Sequence, residues 1–201
     1  MMTCKPIRPA SGPRLPRPEW LPWAASLMLA ALLTLPAAAA EKVPFAARTG
    51  VAIADAAAKS WAPDAILVYL ENDEDVDVAG TSERWGYLYY SPSQAASRVF
   101  SVRDGKILVA ENLEMLFDAP PLATQWIDSG QAVAVAEQMA GQSFRQLHQG
   151  KLATMLLMRG AFYSGDPNQT TWTLIYTSPH APSLFVVVDA ADGSVRRTWR
   201  G

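Results

Sequence analysis

Trp172-Thr-Leu-Ile-Tyr-Thr-Ser-Pro179 and, after His180-Ala-Pro182, Ser183-Leu-Phe-Val-Val-Val-Asp-Ala-Ala-Asp-Gly-Ser-Val195 read as two antiparallel strands and the turn into a third. Trp172, Leu174 and Tyr176 alternate, which places them on one strand face, because successive side chains of a strand point to opposite faces. Leu184–Val188 is almost continuously apolar, the pattern of a central strand covered on both faces. Asp192-Gly193 marks a turn. Val195, Arg197 and Trp199 alternate in the last strand, with Trp199 expected to pack on the sheet and Arg196 and Arg200 in solvent.

A weaker copy of this stretch lies 87 residues earlier: Trp85 matches Trp172, Tyr89 matches Tyr176, Ser91-Pro92 matches Ser178-Pro179, and Asp104-Gly105 matches Asp192-Gly193 after one inserted residue. Ala65–Leu70, the alternating Trp85, Tyr87 and Tyr89, Arg98–Val102 and Lys106–Ala110 supply strands, with Asp104-Gly105 a hairpin turn whose residues both tolerate positive φ. Val51, Ala54, Ala58 and Trp61 recur at helical steps, so Val51–Trp61 reads as a helix with Thr49 as its N-cap, stopped by Pro63. In the second half Asp128 or Ser129 caps a helix whose buried stripe is Ala132, Val133, Ala136, Met139 and Ala140, with Gly141 as its stop. Ser143–Arg159 is open between helix and strand except for the apolar run Leu152–Met158.

The fold class expected is therefore α+β: two tandem repeats, each one helix packed on an antiparallel sheet of about four strands. Residues 41–110 form the first unit and 128–201 the second. Residues 111–127 link them, beginning as a helical turn at Leu113, Leu116 and Phe117 and stiffened by Pro120-Pro121.

Ahead of both units stands a leader, residues 1–40. Lys5, Arg8, Arg14 and Arg17 precede the uncharged, mostly apolar Leu21–Leu35, and Ala37–Ala40 supplies small residues. That order is a secretory signal peptide cleaved near Ala40, with a periplasmic or secreted product; left uncleaved, the same segment would be a membrane anchor. The 161 residues that follow carry 13 basic and 18 acidic groups. A net charge of −5 argues against nucleic acid as partner. Cys4 is the only cysteine and lies in the leader, so the exported chain has no disulfide or thiolate and rests on packing.

Motifs for chemistry are sparse. Asp73, Asp75 and Asp77 alternate as calcium ligands do, but Val78 and Arg84 stand where that loop needs glycine and a carboxylate, so Glu71–Asp77 reads as a solvated hairpin loop. His148 and His180 lack a metal-binding spacing. Asp189 and Asp192 flank a turn, where aspartate bonds nearby backbone. Asn168-Gln169-Thr170 matches a glycosylation acceptor by chance. Neither catalytic residues nor a cofactor or metal is expected. Trp85, Tyr87, Tyr89, Trp172 and Tyr176 form either a binding face on the open side of the sheet or core packing against the helices.

Gly130-Gln131-Ala132 opening an alanine-rich helix, Trp172–Tyr176, and Val186-Val187-Val188-Asp189 with Asp192-Gly193-Ser194-Val195 resemble the PepSY-like family of small exported or membrane-tethered α+β modules. The doubled layout also resembles secreted β-lactamase inhibitor proteins, which carry disulfides that this chain lacks. The PepSY resemblance implies a non-enzymatic module that binds a protein or peptide and restrains a peptidase. A carrier or sensor of a small apolar ligand is the alternative.

Overall fold

Residues 42–113, 120–160 and 166–201 are described in the computed structural model. The alternating stretches form strands: β1 (Phe45–Ala46), β2 (Ile66–Asn72), β3 (Thr81–Ser82), β4 (Arg84–Ser91), β5 (Ala96–Arg103), β6 (Lys106–Asn112), β7 (Lys151–Arg159), β8 (Thr170–Thr177), β9 (Leu184–Asp189) and β10 (Val195–Arg200). β1 and β3 pair as a two-stranded ribbon, and the other eight make one antiparallel sheet in the order β10-β9-β8-β7-β2-β4-β5-β6. Asp104 and Gly105 both take positive φ (49° and 69°) and turn β5 into β6.

That sheet corrects the expected two tandem units. β2 pairs with β7 through Tyr69↔Met158, Leu70↔Leu157 and Glu71↔Leu156, so strands from both halves belong to one eight-stranded sheet. Asn72 locks the junction: its side chain accepts from Met155 N (2.6 Å) and donates to Ala153 O (3.2 Å). In separate units β2 and β7 would each present an unpaired edge, and pairing them removes both. The buried apolar residues likewise form one core, from Ala54 and Trp85 through Trp172 to Val188. The architecture among the described residues is mostly β. β9 is an interior strand as read, paired with β8 and β10, and Val186, Val187 and Val188 are all 0% exposed, so both its faces are covered, although it lies one strand in from the β10 edge.

Two helical segments cover one face. The first, α1 (Ala47–Trp61), starts four residues before the expected Val51, and Thr49 is not its cap. Its first free N–H groups are satisfied from the other half of the chain: Ala47 N donates to Ser129 Oγ and Arg48 N to Asp128 Oδ1, both at 3.0 Å. Those two residues also begin α2 (Ser129–Ala136), where Asp128 is the N-cap of a capping box with Gln131. One carboxylate thus serves the positive ends of two helices.

Gly141 is not the stop expected of it. The chain continues as a π-helical turn, Glu137–Gly141, and then α3 (Gln142–His148), which ends at Gln149 in the left-handed region (φ 49°). The wider turn breaks the 3.6-residue stripe: Ala132, Val133 and Ala136 are buried, whereas Met139 is 59% exposed. A bulge in β10 breaks the period-two pattern in the same way. Val195 pairs with Val188 and Arg197 with Val187, so Val195 faces the helices while Arg197 and Trp199 face away. Arg196 is not left to solvent alone, since it forms an ion pair with Asp189, and Arg200 lies over the Phe144 ring at 4.5 Å. The expected helical turn at Leu116 and Phe117 lies outside the described residues, as do the leader and its cleavage point.

Candidate functional site

The five aromatics singled out in the sequence share a face, and it is the face beneath the helices. Trp85, Tyr87, Tyr89, Trp172 and Tyr176 are all 0% exposed, so they are core and not an open binding surface. Trp85 and Trp172 meet edge to face with centroids 6.3 Å apart, and Trp126 stacks edge-on against Trp172 at 5.9 Å. Each central indole donates to a carbonyl just ahead of a helix N-cap: Trp85 Nε1 to Phe45 O and Trp172 Nε1 to Ile127 O, both at 2.8 Å. Tyr87 Oη donates to Ala47 O at 2.6 Å. Burial pushes the phenols of Tyr87, Tyr89 and Tyr176 well above the ordinary tyrosine range; the charge of Glu137 adds to the effect at Tyr176.

Where the core ends, an apolar groove opens. It lies between the start of α1 and the β5–β6 hairpin and has a volume of about 540 Å³. Val43, Phe45, Ile53 and Val102 give it apolar walls, and Asp104 and Lys106 stand at the hairpin end. Gly50 lies so close to the core that a Cβ there would fall 2.2 Å from Tyr87 Oη, which holds α1 down on the sheet and shapes the groove floor. Val43 is 67% exposed. Sequence reasoning passed over Val43 and Phe45, although Val43-Pro44-Phe45 is an apolar cluster.

The remaining polar candidates are engaged separately. Asp73 accepts from Ser101 Oγ and lies 3.4 Å from Arg84 Nε. Asp77 accepts from Ala79 N, Thr81 N and Thr81 Oγ1. Asp75 lies 3.7 Å from Lys151 Nζ. The three alternating aspartates therefore do not converge, and among the described residues no group of three or more acidic, histidine or cysteine side chains is placed to hold a metal ion. Asp189 accepts from Gln169, Arg196 and Ala191 N and ties the end of β9 to its turn. Asp192 accepts from Ser194 Oγ and N, bonds that lower its carboxyl below the usual range. His148 lies 5.3 Å from the Phe144 ring and 3.2 Å from an Arg200 nitrogen, and His180 faces Gln149. Asn168 is exposed, but the Thr170 hydroxyl is buried and accepts from Ala123 N. No helix among the described residues is long and apolar enough to cross a membrane.

One antiparallel sheet with a single helical layer defines the class of fold. No family model matches the chain, so the PepSY-like resemblance stands on the quoted residues alone. No curated protein matches it either. Among solved structures the chain is similar to a protein of Clostridium difficile 630 described as a "putative lipoprotein". The similarity covers 80% of this chain and 94% of that one, with a TM-score of 0.52 and 16% sequence identity. At that identity the likeness concerns the fold.

Proposed function

We propose that this chain is an exported, non-enzymatic binding module, PepSY-like in kind, that holds a protein or peptide partner. The observation that carries the reading is the groove between α1 and the β5–β6 hairpin, with its apolar walls at Phe45, Ile53 and Val102 and the protruding Val43 at its mouth. An exposed apolar recess with charges at one end suits an apolar anchor side chain of a partner. Export is supported by the basic, apolar, small-residue order of residues 1–40. N-terminal sequencing of the secreted product tests it, and a start other than near Glu41 counts against cleavage at Ala40.

The binding test compares wild type with Val43→Glu as baits in a periplasmic extract. A protein retained by wild type and lost by the variant is expected; identical captures on both baits overturn the reading. Because the groove volume also falls in the range of small-ligand sites, native mass spectrometry of the gently purified protein decides the alternative. A stoichiometric small adduct would make the protein a carrier.

A further inference from the structure

The sheet has two outer strands, and they differ in what they can accept. β10 carries Arg196, Arg197 and Arg200 within six residues, so two copies of it side by side would oppose like charges. β6 reads Lys106-Ile-Leu-Val-Ala-Glu-Asn112, and Lys106, Leu108, Ala110 and Glu111 are all exposed, Leu108 at 51%.

A bulge decides how β6 presents its charges. Val102 pairs with Ile107 and Ser101 with Val109, which leaves Leu108 as the extra residue. In a regular strand Lys106 and Glu111, at positions of opposite parity, would point to opposite faces. The extra residue brings them to the same face, the one away from the helices: Lys106 pairs with Arg103 and Glu111 with Val99, and both partners alternate with the core-facing Val102 and Phe100. The segment is thereby self-complementary. In an antiparallel pair centred between Leu108 and Val109, Lys106 opposes Glu111, Ile107 opposes Ala110 and Leu108 opposes Val109, each across a twofold axis normal to the sheet.

We propose that β6 is the contact with a second copy of this chain, joining the two sheets edge to edge about that axis. Two reciprocal Lys106–Glu111 pairs fix the register, and the two Leu108 side chains are covered at its centre. The contact is separable from the binding function of the groove at Glu111, which is not a groove residue, whereas Lys106 also lines the groove.

Analytical ultracentrifugation of the exported chain tests this, with Glu111→Lys, Lys106→Glu and the double exchange K106E/E111K. A concentration-dependent dimer is expected for wild type. Each single reversal should raise the dimer dissociation constant about tenfold, which is the size of two cross-strand charge pairs changed in sign, and the double exchange should restore it. Both side chains are exposed, so the melting temperature of each variant reports that the fold is kept. A wild type that stays monomeric, dimers indifferent to both reversals, or a double exchange that fails to recover would overturn the proposal. A monomer that pairs only with a different protein through this edge would overturn it as well.

Discussion

Tyr87 beneath α1 and Tyr176 beneath the α2–α3 segment sit in matching surroundings, and the helices above them solve the fit in different ways. Both tyrosines follow a buried tryptophan whose indole N–H holds the start of the overlying helix. Over Tyr87 the helix stays regular, and space for the phenol comes from Gly50, whose missing Cβ would sit 2.2 Å from Oη. The phenol then donates to Ala47 O in the first helical turn. Over Tyr176 the helix widens into the π-turn, and Gly141 again yields the space, with a virtual Cβ 2.5 Å from Oη and 2.8 Å from Glu137 Oε1. Glu137 is turned toward the phenol and held by a bidentate Arg145. A glycine alone suffices where the tyrosine bonds the helix backbone; where it faces a carboxylate, the helix itself changes pitch.

The strongest way to break this comparison is to remove what the two places share. Trp172→Ala deletes a fully buried indole that touches both Trp85 and Trp126, and it should cost about 3–5 kcal/mol in urea unfolding. Trp199→Ala, on the other face and half-buried, should cost clearly less. Equal losses would mean that the indole pair does not hold the helical layer. The glycines come next. Gly50→Ala forces a methyl against a phenol pinned by its own hydrogen bond, so about 1–3 kcal/mol is expected from overpacking. Gly141→Ala gains the same helix propensity as Gly50→Ala, about 1 kcal/mol, and also meets a phenol, with Tyr176 Oη at 2.5 Å, but one whose hydroxyl is not bonded to the helix backbone and so is freer to shift. Its net loss should therefore be smaller, and a larger loss than at Gly50 would reverse the comparison.

Strand positions were legible because alternation at Trp85-Tyr87-Tyr89 and Trp172-Leu174-Tyr176 is a local property, and so was the Asp104-Gly105 turn. What the sequence hid is what depends on distant partners. The start of α1 could not be read because its cap comes from Asp128 and Ser129, about eighty residues away. The β2–β7 pairing has no local signature either, and without it two units are the natural reading of two similar stretches. Gly141 was read as a helix stop because glycine usually serves there; its use as clearance for Tyr176 appears only in three dimensions. Alternation also told which aromatics share a face but not which face the helices cover, so the candidate binding residues proved to be core and the groove at Val43 and Phe45 went unnoticed.

The buried phenols give a titration test. Their folded-state values are raised, so the neutral form is favoured by folding. That contribution is fully present below the unfolded tyrosine value of about 10 and is lost as pH rises toward the folded values. Stability should stay level through neutral pH and fall above about pH 10. Tyrosinate absorbance from Tyr87, Tyr89 and Tyr176 should appear together with unfolding. Early absorbance from all three in the folded state would show that the layer above them opens.

The smallest effect separates Tyr89 from its neighbour two residues back. Tyr89 Oη is buried without a hydrogen-bond partner among the described residues, whereas Tyr87 Oη has Ala47 O. Removing a satisfied hydroxyl loses about 1 kcal/mol net, while removing an unsatisfied one relieves a desolvation cost. Tyr87→Phe should lower stability by about that amount, and Tyr89→Phe should leave it unchanged or slightly raised. If the two variants melt alike, the hydroxyl bond to α1 contributes nothing to the fit, and the contrast between the two tyrosine sites would rest on the glycines alone.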